Sequence, residues 1–118
     1  MGAGHLAMLD NDLERYAPAV DLPIDPGIRR AVLILRKEGI ETFESCQGGD
    51  GHARREPVVK FYGSAWAGYR AYAVAMEHGL PVARIQMVWH EVDKHLEGPW
   101  WEMISSRTTE EAVTDPAD

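Results

Sequence analysis

The order of helix and strand patterns occurs twice along the chain, and this repeat restricts the possible folds more than any other feature. Each unit is a helix that ends at a glycine, followed by two strands, and the two glycines, Gly39 and Gly79, lie 40 positions apart. Each helix has an apolar stripe that must be buried, and one sheet can cover both stripes. We therefore predict an α+β fold, in which two helix–strand–strand units form one four-stranded, mainly antiparallel sheet with both helices on one face.

The first unit begins at Asp25, because aspartate can cap the free N–H groups of a helix and Pro26 suits the first helical position. Apolar residues then recur at helical spacing until Gly39 ends the helix. Residues 40–46 and 58–62 have strand character, and we expect them to pair antiparallel across a long glycine-rich connection.

In the second unit the residue pattern predicts a helix over residues 65–78, followed by two further strands. The residues expected on the buried face of the helix are Trp66, Tyr69, Ala73 and Met76, and the tyrosines expected in the core are Tyr62, Tyr69 and Tyr72. Residues 84–89 alternate as a strand does, and residues 100–105 follow as its hairpin partner after a turn over residues 93–99. Adjacent tryptophans on a strand point to opposite faces, so either Trp100 or Trp101 enters the core. If the units are equivalent, this turn and the glycine-rich connection share one edge of the sheet.

The length of the chain suits one domain. A chain of 118 residues with 45% hydrophobic residues can bury one modest core. We predict an N-terminal arm over residues 1–24, a single α+β domain over residues 25–105 and a flexible acidic tail over residues 106–118.

The composition restricts the partners and the compartment. The formal net charge of -7 makes nucleic acid an unlikely partner, because affinity for phosphate backbones comes mainly from clustered lysine and arginine. The single cysteine excludes an intramolecular disulfide. The longest aliphatic run, residues 31–35, is far short of the roughly 20 residues that a membrane helix needs. We therefore predict a cytoplasmic protein without membrane contact.

The connection between the first two strands carries the densest set of polar groups. Its glycines allow the backbone to present N–H groups to a ligand, and two arginines follow just beyond. A phosphate or carboxylate would fit such a loop, although no Gly-Lys-Ser/Thr of a Walker motif follows. The predicted ligand-binding residues are Ser45, Cys46, Gln47, Gly48, Gly49, Asp50, Gly51, His52, Arg54 and Arg55.

Three other interpretations of this stretch stay open. The glycines can simply relieve strain in a surface turn. Cys46 can be a nucleophile activated by His52 or by an arginine, or a small buried residue at the end of a strand. A zinc site is the third, but the spacing matches no compact zinc motif, and we predict no catalytic residue, no metal and no cofactor. The side chains that would have to converge on zinc are Cys46, His52, His90, His95 and either Asp50 or Asp93.

Three motifs occur together in this chain. They are Ser45-Cys46-Gln47-Gly48-Gly49-Asp50-Gly51-His52, Gly79-Leu80-Pro81 and Gly98-Pro99-Trp100-Trp101-Glu102. In these motifs the sequence resembles a group of small uncharacterised proteins from bacteriophages and bacteria, over about residues 24–105. The resemblance implies a phage or prophage origin, and therefore the cytoplasm of a bacterial host, but no particular activity.

A more distant likeness concerns Ser45-Cys46-Gln47-Gly48, which follows a helix with an acidic residue before it. In this the chain resembles the wybutosine-synthesising methyltransferase family, which methylates a tricyclic guanosine derivative in tRNA with S-adenosylmethionine. That family continues its motif with arginine, where this chain has Gly49, and this chain is much shorter. The resemblance implies a shared fold with a nucleotide-sized pocket at this loop.

The leading functional hypothesis is non-enzymatic binding of a small anionic, nucleotide-like ligand at the glycine-rich loop. The phage resemblance suggests one version, the sequestration of a host immune signal nucleotide. One alternative is a methyltransferase-like enzyme of RNA or nucleotide modification that uses the same loop. The other is a protein-interaction module built on the tryptophan hairpin, residues 84–105. An outward-facing tryptophan is explained by a dimer contact or by an aromatic wall that stacks on a planar ligand, and of these we favour a homodimer or higher homo-oligomer.

Overall fold

The computed structural model describes residues 13–16 and 24–108 of the chain. These residues form two α-helices and four strands, in the predicted order, after a short 3₁₀ turn at Leu13–Tyr16. The elements are α1 (Pro26–Lys37), β1 (Glu41–Cys46), β2 (Val58–Tyr62), α2 (Ala65–Glu77), β3 (Val82–Val92) and β4 (His95–Ser105). The structure thus confirms the predicted α+β fold and the repeated helix–strand–strand unit.

The four strands form one antiparallel sheet in the order β1-β2-β4-β3. The two units meet through β2 and β4, so β1 and β4 run in the same direction and β3 runs the other way. The β1–β2 connection and the β3–β4 turn therefore lie at opposite ends of the sheet. The prediction that they share one edge is wrong, because it needed β3 rather than β4 beside β2.

Both helices pack on one face of the sheet, and the core lies between the helices and the sheet. Val59, Phe61 and Met103 point to this face, since side chains alternate along a strand. The 3₁₀ turn covers the outer side of α1, where Leu13 is buried and Arg36 Nε donates to the carbonyl of Tyr16 at 2.7 Å. The helix residues of the core are Ile28, Ala31, Val32, Leu33, Ile34, Leu35, Ala71, Val74 and Ala75.

The buried face of α2 differs from the prediction. Trp66, Tyr69, Ala73 and Met76 are all exposed, and so are Tyr62 and Tyr72. The buried residues of α2 are instead Gly68, Ala71, Val74 and Ala75. Small side chains on this face let the helix approach the Trp101 ring, which stacks on Phe61. Both faces of α2 are apolar, so the spacing of large residues pointed to the wrong one.

The two strands of the second hairpin are longer than predicted. A two-residue turn at Asp93 and Lys94, both with positive φ, joins β3 to β4. The predicted turn over residues 93–99 is too long, because residues 95–99, including Gly98 and Pro99, lie inside β4. As predicted, adjacent tryptophans point to opposite faces, with Trp101 against the core and Trp100 beside Lys60 on the other face.

The predicted arm and tail are described only in part. Leu13–Tyr16 packs against α1, and Ser106 N–H donates to the carbonyl of Pro81 at 2.8 Å. Residues 1–12, 17–23 and 109–118, which include most of the predicted arm and tail, lie outside the described residues. In the part of the chain that is described, no helix is long and apolar enough to cross a membrane.

We predict that Gly68→Ala destabilises the protein by about 1–3 kcal/mol, because the added Cβ would lie 2.6 Å from Trp101 Cζ3 and Cη2. The Trp101 ring cannot easily move away, since its Nε1 donates to the carbonyls of Gly63 and Ser64 and its face stacks on Phe61. This overpacking should outweigh the gain of about 1 kcal/mol that alanine brings to a helix interior. Urea unfolding measures the difference.

The matched control for Gly68→Ala is the same change in a Trp101→Phe background. Phenylalanine lacks the outer ring atoms that the new Cβ would meet, so the cost of Gly68→Ala should fall there. A Gly68→Ala protein that is more stable than the wild type would contradict the packing argument.

Candidate functional site

The connection between β1 and β2, residues 47–57, is called the glycine loop here, and it folds back on itself. Gly49 N–H donates to the carbonyl of Arg55 at 2.9 Å, so the two limbs of the loop touch. Gly48 is buried at this crossing with φ +79°, and a Cβ on it would lie 2.6 Å from the backbone carbon of Glu56. Gly48 is therefore required by the close approach of the two limbs.

The backbone N–H groups of Gln47, Gly48, Gly49 and His52 have partners within the protein. Gln47 N–H donates to Asp25 Oδ2 at 3.1 Å, and Gly48 N–H donates to the sulfur of Cys46 at 3.4 Å. His52 N–H donates to the carbonyl of Gly49 at 3.2 Å. These bonds fix the shape of this part of the loop and occupy donors that an anion would need.

Arg54 connects the glycine loop to the face of the sheet opposite the helices, called the open face here. Its two terminal nitrogens lie 3.3 and 3.2 Å from the two carboxylate oxygens of Glu102, a residue of β4 that is only 5% exposed. Burial alone raises the pKa of Glu102, but the hydrogen bonds from Arg54 and Gln86 outweigh it, and the pKa lies below its usual value. The same hydrogen bond raises the pKa of Arg54. Arg54 is thus a structural anchor of the loop.

Three side chains from separate elements converge where the loop leaves β1. Cys46 ends β1, His52 lies in the loop, and Asp25 is the residue before α1. One ligating atom of each residue lies within 4.8 Å of those of the other two, and His52 Nδ1 is 3.5 Å from Asp25 Oδ2. The prediction that Asp25 caps α1 through its side chain is wrong, because its carboxylate accepts from Gln47 instead.

His52 is held through both of its ring nitrogens. Nδ1 faces Asp25, and Nε2 lies 3.2 Å from the amide nitrogen of Gln47. The amide oxygen of Gln47 accepts from Gly27 N–H at 2.7 Å, so its nitrogen is the group that faces His52. This arrangement assigns the ring proton to Nδ1 and leaves the lone pair of Nε2 to accept from Gln47. A cysteine nucleophile needs a ring nitrogen against its sulfur, so the geometry does not favour a Cys46–His52 catalytic pair.

A cavity of about 460 Å³ lies between the glycine loop and the β1 side of the open face. Five of the predicted ligand-binding residues line it, whereas Gly49, Asp50 and Arg55 are exposed and lie outside its lining. Those five are Ser45, Cys46, Gly51, His52 and Arg54. Gln47 and Gly48 do not line the cavity. They hold the loop in place through the hydrogen bonds and the close approach described above.

Sequence reasoning missed several residues of this cavity. Asp25, Glu44, Val58 and Lys60 also line it. Lys60 Nζ lies 3.2 Å from Glu44 and 5.7 Å from the centre of the Trp100 ring. The sequence could have revealed Lys60, because it lies between the apolar residues Val59 and Phe61 of β2. Alternation along a strand places its side chain on the opposite face of the sheet.

An aromatic row crosses the open face beside the cavity and consists of Phe43, Tyr62 and Trp100. Phe43 stacks on Tyr62 with ring centres 4.1 Å apart and meets Trp100 edge-on at 6.3 Å. A register shift between Thr42 and Glu44 turns Phe43 toward this face. Phe43 and Tyr62 are exposed, so the row presents aromatic surface to solvent next to Lys60.

The wider zinc set considered from the sequence does not assemble. Cys46 pairs with Val58, which pairs with Ile104, whereas His90 pairs with Glu97, seven residues away along β4. A strand rises about 3.4 Å per residue, so His90 lies about 24 Å from the Cys46 end of the sheet. His95 and Asp93 lie farther still, at the β3–β4 turn.

Comparison of the chain with protein-family models, with curated proteins and with solved structures gives no match. The resemblances to small phage and bacterial proteins and to the wybutosine-synthesising methyltransferases stay predictions from sequence motifs. The function is therefore inferred from the side chains and cavities of this chain.

We predict that Arg54→Ala lowers the free energy of unfolding by about 1–3 kcal/mol at pH 7, because Glu102 stays buried with fewer donors. This range lies below that of a fully buried pair, since 36% of the Arg54 side chain is exposed. Urea unfolding at several pH values measures the effect, and Arg55→Ala, at an exposed neighbour, should change stability by no more than about 0.5 kcal/mol.

The cost of Arg54→Ala should shrink on acidification. The lowered pKa of Glu102 gives the wild type a stability that is full above the unfolded-state pKa of about 4.3 and is lost as the pH falls through the lower folded-state pKa. In Arg54→Ala the stability that Glu102 contributes is already smaller at pH 7. Acidification therefore lowers the stability of the variant less than that of the wild type. A cost that is constant from pH 7 to pH 3 would show that the ion pair is not its source.

Proposed function

We propose that the protein binds a small, planar, anionic ligand of the nucleotide class across the open face of the sheet, without chemical turnover. One observation carries this proposal: the aromatic row of Phe43, Tyr62 and Trp100 lies directly beside the cavity under the glycine loop. A nucleobase can stack on aromatic rings, while its polar groups reach the cavity. Small-ligand sites commonly combine an apolar wall with a few convergent polar groups in this way.

Lys60 is the cation best placed for the anionic part of the ligand. It stands between the aromatic row and the cavity, in contact with Glu44 at 3.2 Å. The Glu44 side chain is 61% exposed, so it can turn into solvent and give up Lys60 to a phosphate at little cost. Arg54 is less free, because both terminal nitrogens already bind the buried Glu102.

The enzymatic alternative finds less support in the geometry. The ring nitrogens of His52 face Asp25 and Gln47, and Cys46 Sγ accepts from Gly48 N–H. These bonds orient the three side chains but do not pair a base with a nucleophile. The proposal is accordingly a binding function, which includes the sequestration of a signal nucleotide suggested by the phage resemblance.

Isothermal titration against mononucleotides, cyclic dinucleotides and cyclic ADP-ribose isomers tests the proposal. We expect at least one compound to bind at micromolar concentration and Tyr62→Ala to weaken it about tenfold, because stacking on one ring contributes about 1–3 kcal/mol per base. Lys60→Gln should weaken the binding of anionic compounds more than the binding of the corresponding nucleosides. Trp89→Ala, at an exposed aromatic residue outside the aromatic row and the cavity lining, is the matched control and should leave the affinity unchanged.

Two results would overturn this proposal. One is the lack of micromolar binding by every compound of the panel. The other is conversion of a bound compound, detected by mass spectrometry after incubation, since a pure binder returns its ligand unchanged.

A second function, self-association, is favoured by the outer surface of α2. Trp66 and Tyr69 are 76% and 72% exposed, and together with Tyr72 and Met76 they form a continuous stripe, the α2 stripe. Exposed apolar surface of this kind usually marks an interaction site. We propose a second copy of the chain as the partner, because the stripe carries no charge, so two copies can meet there without opposing the acidic groups of a chain with net charge -7.

Light scattering after size-exclusion chromatography tests this interface. The wild type should form a dimer whose fraction rises with concentration, and Trp66→Glu should shift it to monomer, because the two-fold axis brings a charge against its own copy. Trp89→Glu, at the exposed hairpin, is the matched control. If Trp89→Glu dissociates the dimer and Trp66→Glu does not, the tryptophan hairpin is the interface and the α2 stripe is not.

A further inference from the structure

Three ligand types that zinc accepts lie together on one wall of the cavity: a thiol, an imidazole and a carboxylate. They belong to Cys46, His52 and Asp25, whose ligating atoms lie within 4.8 Å of one another. We propose that these three residues bind a transition-metal ion, Zn²⁺ by the chemistry of the set, with a fourth coordination position open to the cavity. This inference goes beyond the proposed ligand binding and stands or falls independently of it.

The measured distances suit tetrahedral coordination. Zinc bonds of about 2.0–2.3 Å at tetrahedral angles place any two ligand atoms about 3.3–3.8 Å apart. His52 Nδ1 and Asp25 Oδ2 already have this separation, at 3.5 Å. The 4.8 Å limit on the whole set means that the remaining ligand atoms must approach by about 1.5 Å at most. Rotations of the side chains supply such a movement without a change in the backbone.

The surrounding backbone holds two of the ligands in place. Cys46 Sγ accepts from Gly48 N–H at 3.4 Å, and this bond sets the position of the sulfur at the end of β1. Asp25 Oδ2 accepts from Gln47 N–H at 3.1 Å. Hydrogen bonds to the ligands of this kind are usual around protein metal centres, where they set the orientation of the side chains.

The ligand set selects the metal. Calcium and magnesium take six or more oxygen ligands, which one carboxylate cannot supply, whereas thiolate and imidazole suit zinc. On binding, the thiol proton of Cys46 passes to solvent, and His52 coordinates through Nδ1 with its ring proton on Nε2. Each bound ion therefore releases one proton, and the charge of Zn²⁺ is balanced by one thiolate and one carboxylate.

Gln47 offers a specific test of coordination through Nδ1. In the metal-free arrangement its amide nitrogen faces His52 Nε2 at 3.2 Å, and its amide oxygen accepts from Gly27 N–H. Once the metal moves the ring proton to Nε2, an acceptor is needed at this position. Gln47→Glu keeps the acceptor for Gly27 and provides one for Nε2–H, so it should bind the metal about tenfold more tightly.

The main experiment is titration of the full chain, treated with a chelator and kept reduced, with Co²⁺ followed by absorption spectroscopy. We expect one ion per chain, a thiolate-to-cobalt charge-transfer band and the strong visible bands of tetrahedral cobalt, all removed by stoichiometric Zn²⁺. Cys46→Ser should abolish the charge-transfer band. His52→Gln and Asp25→Asn should each weaken Zn²⁺ binding at least tenfold, as measured by competition with a chromophoric chelator.

The matched controls are His90→Gln and Asp50→Asn, which remove the same chemical groups at exposed positions away from the cavity lining. Both should bind Zn²⁺ as the wild type does. Circular dichroism of each variant confirms that it folds, and proton release into a weak buffer gives a second reading that depends on Cys46. The inference is overturned if the wild type gives no charge-transfer band, if Cys46→Ser binds Zn²⁺ with unchanged affinity, or if Gln47→Glu binds it more weakly.

Discussion

The ion pair between Arg54 and Glu102 holds the glycine loop against the open face of the sheet, and the site depends on this contact. Glu102 belongs to β4, in the middle of the sheet, whereas Arg54 belongs to the connection at one end of it. Val58 lines the cavity together with Arg54, and it is buried although it points away from the helices. The loop therefore forms one side of the cavity, and β1 and β2 form the other.

The loop owes its fixed shape to hydrogen bonds that use its own backbone donors. Glycine-rich segments are often described as flexible or as anion cradles, and both descriptions expect free N–H groups. Here those of Gln47, Gly48 and Gly49 donate to Asp25, Cys46 and Arg55. The result is a rigid frame that presents side chains. The proposed metal site therefore rests on Asp25, Cys46 and His52, and the proposed recognition of a planar group rests on the aromatic row beside them.

The sequence predicted the elements well and their environment less well. Helix starts and stops at Pro26, Gly39 and Gly79 were readable because proline and glycine restrict or free the backbone locally. The buried face of α2 was not readable, because Trp66 and Tyr69 are larger and more apolar than Gly68 and Ala71, yet only the small residues fit against Trp101. The strand order could not be predicted either, since it depends on whether β3 or β4 pairs with β2, and both are distant from β2 in sequence.

The sequence by itself determined the fold class, the repeated helix–strand–strand unit and the loop that carries Cys46 and His52, because these follow from local periodicity and from turn residues. Only the tertiary structure decided that Asp25 joins them and that His90 and His95 stand at the far end of the sheet. It also decided that Arg54 is committed to Glu102 and that Lys60 lies between the cavity and the aromatic row. The physical reason is that each of these facts joins residues distant in sequence, whose contact is set by strand register and helix packing rather than by neighbouring residues.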